Sequence, residues 1–338
     1  MCVAIMLGVA YVAFIPTYVA EKRATPTPSP VVPDTGLLER VTRFTSEFGV
    51  TGGYRVPTQA ERDAVMEGIS ALFDGNVDKA RARLADVDYR LDTFTDGPGG
   101  RRFAEVADAA ARPGSANRGW GRVYVDLGAP PRWSVQVPHP IADQDTERLG
   151  AQVLRGAPGG VMVLAGAHRK AGSGSGADAG GAEEEDTAAS GDVADMAHRT
   201  DSVFHAVVTE LTRRGLPGIQ LHGFADSSAP AAGAVVSTGS GTTAAADAQR
   251  LAEGLEGRGI RPCRAWAESC RLSGRNNEQG RLAVAYGTRF LHLELARSVR
   301  SDAGRLAEVA GAVAAVTGAW AGEGVRAPDA AGAATPTG

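Results

Sequence analysis

The sequence predicts an α/β fold in which a mixed, mostly parallel sheet is covered by helices on both faces. Two observations predict it. From Gly121 onward, short apolar runs with strand-like patterning alternate with segments of helical periodicity. One run, Gly160-Val-Met-Val-Leu-Ala, is apolar throughout, as a strand buried on both faces must be. A third feature concerns function. Trp133-Ser-Val-Gln-Val-Pro-His139, Gly218-Ile-Gln-Leu-His222 and Arg289-Phe-Leu-His-Leu-Glu294 each end in a metal-ligating or catalytic residue type. Open α/β sheets gather their ligands beyond the carboxyl ends of their strands.

The elements follow in order. Residues 2–20 are uncharged and apolar, about the length a bilayer crossing needs, so 1–21 is read as a transmembrane anchor or uncleaved signal. No basic segment precedes this stretch, which points to a start further upstream. The protein is expected to be membrane-anchored through 2–20, with its domain extracytoplasmic. Residues 22–36 read as a stiff Pro/Thr-rich linker. A single catalytic domain is expected over 37–320, with 37–130 as an N-terminal subregion. In that subregion Thr58-Gln-Ala-Glu61 has the capping-box pattern and starts a helix. A shorter helix is expected over 76–84, a strand from Tyr89 and a turn at Gly97. Residues 102–111 are expected to be helical.

Gly121-Arg-Val-Tyr-Val-Asp and Trp133-Ser-Val-Gln-Val read as neighbouring strands joined by a hairpin loop at Gly128-Ala-Pro-Pro. Next come a helix over 145–154, the strand 160–165, and a low-complexity Gly/Ser/Ala/Glu insertion over 171–191. A helix over 195–214, the His222 strand, a helix over 244–258, the Glu294 strand and a helix from Ala303 complete the domain. The tail 321–338 reads as disordered.

Composition narrows the partners. The 338 residues carry a net charge of −4 and only three lysines (Lys22, Lys79 and Lys170), so no basic field suggests nucleic acid. No cofactor fingerprint or phosphate-binding loop is present. Neither Ser237 nor Ser240 lies in the Gly-x-Ser-x-Gly elbow of a serine hydrolase. Cys263 and Cys270 either close a short disulfide loop or sit as two small buried thiols.

The strand ends supply the parts of a mononuclear zinc hydrolase: imidazole and carboxylate ligands with a Glu nearby. His139 and His222 are the candidate imidazoles, Asp143, Asp145 and Glu147 the candidate carboxylates, and Glu294 the candidate general base. His292, two residues before Glu294, shares its strand face. His168 and Arg169 follow the 160–165 strand. His198, Arg199 and Asp201 form a polar cluster, and Arg275, Asn277 and Gln279 lie in a loop before the Glu294 strand. These eight are candidates for substrate binding, the arginines through bidentate recognition of a carboxylate.

The order of these segments resembles the superfamily of zinc carboxypeptidases, N-acetylmuramoyl-alanine amidases, N-formylglutamate amidohydrolases and poly-gamma-glutamate hydrolases. The resemblance covers roughly residues 130–315. It implies a three-layer α/β/α sandwich of the phosphorylase/hydrolase-like kind, Zn2+ bound by His139, Glu147 and His222, and Glu294 as base. The His-x-x-Glu spacing of the peptidases is absent, because Ala142 stands where that Glu would be. The expected activity is hydrolysis of amide or peptide bonds in a cell-wall peptide, gamma-glutamyl or N-acyl amino acid substrate, small molecule or polymer. The alternative is a non-catalytic, membrane-tethered envelope-binding protein on the same fold.

Overall fold

Strict alternation of apolar and polar residues along three strands builds the part of the sheet that matters most. The computed structural model describes residues 36–97, 99–109, 118–172 and 192–323. The apolar stretch 2–20, nearly all of the linker, most of the 171–191 segment and most of the tail lie outside the described residues. No helix among the described residues is long and apolar enough to cross a membrane.

Chain order runs α1 (Leu37–Thr45), α2 (Gln59–Phe73), α3 (Val77–Ala85), β1 (Tyr89–Asp96), β2 (Arg101–Asp108), β3 (Arg122–Asp126), β4 (Trp133–Val137), α4 (Thr146–Gly156) and β5 (Gly160–Leu164). It continues through α5 (Val203–Arg213), β6 (Gly218–Phe224), β7 (Ala234–Ser237), α6 (Ala245–Glu256), β8 (Pro262–Arg264), α7 (Glu278–Ala285), β9 (Phe290–Ala296), α8 (Arg297–Arg300) and α9 (Ala303–Gly322). The strands form one nine-stranded mixed sheet in the order β1-β2-β3-β5-β4-β6-β9-β7-β8.

The expected parallel character holds in the centre. Strands β5, β4, β6 and β9 are mutually parallel, whereas β1, β2, β3 and β5 pair antiparallel and β7 runs antiparallel to β9. Mostly parallel is therefore too strong a description: the flanks are antiparallel. Residues 102–111 are not helical. Arg101–Asp108 is a strand whose register with β1 pairs Asp96 with Arg101 across the turn at Gly97. Nor are β3 and β4 neighbours. The wholly buried β5 inserts between them, antiparallel to β3 and parallel to β4. Pro130 and Pro131, which lack N–H donors, carry the chain past its end.

The expected capping box is present at α2: Thr58 accepts from Glu61 N, and Glu61 accepts from Thr58 N at 2.7 Å. The helix expected from Asp195 begins only at Val203, because Ser202 caps it by accepting from His205 N at 3.0 Å. The strands β7 and β8 and the helix α7 have no counterpart in the sequence reading.

Two apolar clusters lie on opposite faces of the sheet. One gathers Trp133, Val135, Val137, Ile219, Leu221, Leu291, Leu293 and Leu295 under α1, α4, α6 and α9. The other gathers Val123, Val125, Val161 and Val163 under α2, α3 and α5. On that second face, the alternate positions of β4, β6 and β9 are Ser134, Gln136, Gln220, His222, His292 and Glu294, all buried. A polar band thus continues where the second apolar cluster stops.

Near the other end of the sheet, Glu105 of β2 is 1% exposed and is held by Arg122 at 2.7 Å, Tyr124 Oη at 3.0 Å and Arg40 at 3.1 Å. Deleting one member of a buried ion pair leaves its partners uncompensated. Glu105→Ala is expected to lower unfolding stability by about 3 kcal/mol, read from the midpoint of urea denaturation.

Candidate metal centre

Register and a tight turn assemble the site. In the β6–β9 ladder Gln220 pairs with His292 and His222 with Glu294, so both pairs project from one face. Beyond β4 the chain turns sharply at 139–145, with Asp143 N donating to His139 O at 2.9 Å. Ile141 (φ 69°) and Asp145 (φ 71°) both take the left-handed conformation, which a β-branched residue rarely adopts. That turn folds Asp143 back onto His139. Gly274, at φ 63°, lies against His292, and a Cβ there would sit 2.5 Å from the ring. Only glycine combines that φ with that approach.

His139, Asp143 and His222 each direct a ligand atom to a common spot, with these atoms within 4.8 Å of one another; His222, His292 and Glu294 form a second such group. All five residues are buried. His139 Nδ1 faces Asp143 Oδ2 at 3.2 Å, and His222 Nδ1 faces the same oxygen at 3.5 Å and Glu294 Oε1 at 4.0 Å. His292 Nε2 lies 3.9 Å from Glu294 Oε1.

The far nitrogens are held from behind. His139 Nε2 meets Asp195 Oδ1 at 2.8 Å, and His222 Nε2 meets Gln220 Oε1 at 2.7 Å. The amide orientations follow from backbone partners. Gly280 N donates to Asn277 Oδ1, leaving Asn277 Nδ2 to donate to Gln220 Oε1. Gln279 Nε2 donates to Met196 O, so Gln279 Oε1 accepts from Gln220 Nε2 at 3.1 Å, and Gln136 Oε1 accepts from the same nitrogen at 3.0 Å. Gln220 Oε1 is therefore an acceptor, His222 carries its proton on Nε2, and Nδ1 keeps its lone pair toward Asp143.

Electrostatics reinforce the geometry. Burial and the nearby Arg169 push the His139 imidazole down, but the Asp195 and Asp143 carboxylates outweigh them and raise its pKa. Burial favours neutral Asp143, yet the His139 ring, by its charge and its hydrogen bond, holds it well below the usual carboxylate range. Asp195 is held low in the same way, against burial, by His139, His198 and Arg169. Carboxylates thus face both nitrogens of His139, an arrangement suited to an imidazolium or to a cation seated between the ring and Asp143.

The sequence-derived candidates do not all converge. His139, His222, Glu294 and the alternative ligand Asp143 come together, with His292 beside them. Glu147 does not join them: it lies buried in the first turn of α4, while Asp145 pairs with Arg297 at 2.8 Å. The His-to-Glu147 spacing needs a helix entering directly after β4, and the left-handed residues of the intervening turn bring Asp143 to the spot instead.

Arg169 and His198 border the centre through Asp195 Oδ2, at 3.2 and 3.1 Å, and His168 Nδ1 accepts from Lys170 N at 3.1 Å. Arg199 and Asp201 satisfy one another at 2.5 and 2.9 Å. Arg275 is exposed. Asn277 and Gln279 are buried supports of Gln220 rather than lining for a substrate. Sequence reasoning gave Asp195, Gln136 and Gln220 no role. The signal for Gln220 is its position two residues before His222 on the same strand face, as His292 is to Glu294.

No family of known proteins matches the sequence, and no curated protein does. Among solved structures the chain is similar to a candidate carboxypeptidase A from Shewanella denitrificans OS-217, at 11% identity and a TM-score of 0.36, over 70% of this chain and 68% of that one. It is also similar to a mutant of the esterase rPPE, at 9% identity and a TM-score of 0.24, over 78% of this chain and 98% of that one. Both TM-scores are too low to bear on function, which is read from the site itself.

Glu147 Oε2 has no hydrogen-bond partner among the described residues. Burial, with Asp145 adding repulsion, raises the Glu147 pKa above its ordinary value. A carboxyl whose folded pKa is raised costs nothing below the unfolded pKa and costs stability as pH rises toward the folded one. Glu147→Gln is therefore expected to raise the melting temperature relative to wild type at pH 7 and to lose that advantage near pH 4. Equal differences at the two pH values would contradict the assignment.

Proposed function

We propose that this protein is a zinc-dependent hydrolase of amide or peptide bonds. The observation that carries the reading is the orientation of the two imidazoles. Each has Nε2 held by an outer acceptor and Nδ1 turned toward Asp143, the arrangement of metal-ligating histidines and their supporting partners. The donor set fits a divalent transition metal: two imidazoles and one carboxylate leave a tetrahedral ion an open position, as catalytic zinc requires. His139, Asp143 and His222 would hold it. Bound there, zinc supplies Lewis-acid activation of water and polarises a carbonyl.

The chain's own residues do the rest. Glu294, beside His222, is the base that takes a proton from water and passes it to the leaving amine. Asp195 keeps His139 in its liganding tautomer, and Gln220 does the same for His222. Arg169, with Lys170 next to it, supplies positive charge at the end of β5 for a substrate carboxylate or developing oxyanion. A peptide-like substrate bearing a carboxylate, such as a cell-wall peptide, a gamma-glutamyl polymer or an N-acyl amino acid, suits these groups. The apolar clusters on both sheet faces support the three-layer sandwich of the hydrolase-like superfamily. The Cys263–Cys270 disulfide supports an extracytoplasmic domain, and the tether through residues 2–20 rests on their apolar sequence alone.

Metal content and hydrolysis of peptide and N-acyl amino acid substrates test this directly. Wild type is expected to retain about one zinc per chain by elemental analysis, and His139→Ala and His222→Ala to lose it while folding normally. Glu294→Gln is expected to keep zinc and lose about 100-fold or more in kcat. Wild type that folds but takes up no zinc would leave the tethered, non-catalytic binding protein as the better reading.

A further inference from the structure

The site is carried by segments that the sheet alone does not tie together. The β6–β9 ladder fixes His222 against Glu294. The β4–β6 ladder pairs only Ser134 through Gln136 with Gly218 through Gln220, and so ends before His139 and Asp143. The turn 139–145 needs another anchor to keep its place against His222 and Glu294.

One side chain reaches all three segments. Arg300, at the end of α8, is 4% exposed. Its Nε donates to Leu295 O at 3.1 Å, its Nη2 to Phe224 O at 3.2 Å, and its Nη1 to Gln144 O. Leu295 follows Glu294, Gln144 follows Asp143, and Phe224 lies two residues past His222. The guanidinium also lies against the backbone of Gly223, where a Cβ would stand 2.3 Å from both Cζ and Nε. Arg297, three residues earlier, pairs with Asp145 and adds a second tie from α8 to the same turn. The Arg300 charge lies within the fields of Asp143 and Glu294.

We propose that Arg300 is a positioning residue: its guanidinium joins the backbone ends of the 139–145 turn, β6 and β9 into one frame and so sets the spacing of the candidate metal centre. The role in metal affinity rests on the zinc reading above; the clamp itself does not. A planar fork with diverging donors can serve three carbonyls at once, which a lysine ammonium on a flexible stem does poorly. Gly223 belongs to the same device, because any side chain there displaces the guanidinium.

The test compares full-length wild type with Arg300→Met, Arg300→Lys and Gly223→Ala. Glu105→Gln serves as a control for general destabilisation. Amide hydrogen exchange is measured without added metal, and zinc affinity by competition with a chelator. Faster exchange is expected in 139–147, 222–226 and 294–298 together in all three variants, with zinc affinity weakened roughly tenfold or more. In Glu105→Gln, exchange is expected to rise in β2 and β3 with zinc affinity unchanged. Exchange changes confined to α8, or a loss of zinc affinity no larger than the control's, would overturn the proposal. Wild type that binds no zinc would sink the metal reading alone, and the exchange pattern would still decide on the clamp. If Arg300→Met does not fold, Arg300→Lys and Gly223→Ala carry the comparison.

Discussion

Polar groups survive inside a sheet only when they find partners, and that constraint governs the region around β4, β6 and β9. One face of these strands is aliphatic and packs under α4, α6 and α9. The other buries amides, imidazoles and a carboxylate. Gln220 is the junction of that layer: its oxygen meets His222 and Asn277, and its nitrogen meets Gln136 and Gln279. Because Asn277 also caps α7 and Gln279 also binds Met196 O, helix placement, loop placement and the His222 tautomer are one interlocked arrangement. None of these side chains can change orientation without leaving a buried donor or acceptor unmatched.

A second layer of control lies on the other side of the centre. Asp195 joins His139, Arg169 and His198, and so connects a strand end, the segment after β5 and the segment leading into α5. The two histidines nearest Asp143 are thus oriented by chemically different devices, a carboxylate for His139 and a neutral amide for His222. A carboxylate partner strengthens the donor power of its imidazole more than an amide does. The two nitrogens that face Asp143 are therefore not electronically equivalent.

Much of this was legible in the chain. The alternation in Ile219-Gln-Leu-His222 and Leu291-His-Leu-Glu294 identified both the strands and the shared face of their polar residues. The repeated pattern of strand ends by itself brings His139, His222 and Glu294 to one sheet edge. The carboxylate was harder. Helical periodicity after Glu147 pointed to that residue, whereas Asp143 is delivered by a turn in which Ile141 takes a positive φ, the opposite of what a β-branched residue announces. Asp195 read as the start of a helix, and Arg300 resembled any arginine near a helix end, because their partners are far away in sequence. Residues 102–111 read as helix because Ala, Arg and Glu favour helix locally, whereas Arg101–Asp108 is a strand through pairing on both sides with β1 and β3.

The far end of the sheet has a different consequence. Strand β8 spans three residues, opens with Pro262, which cannot donate, and is bent back by the Cys263–Cys270 bridge within seven residues. An outermost strand that short, lacking one donor and closed into a loop, makes a poor template for a strand from another molecule. At that edge the protein is guarded against the intermolecular β-pairing that begins aggregation, and reducing the bridge would remove part of the guard.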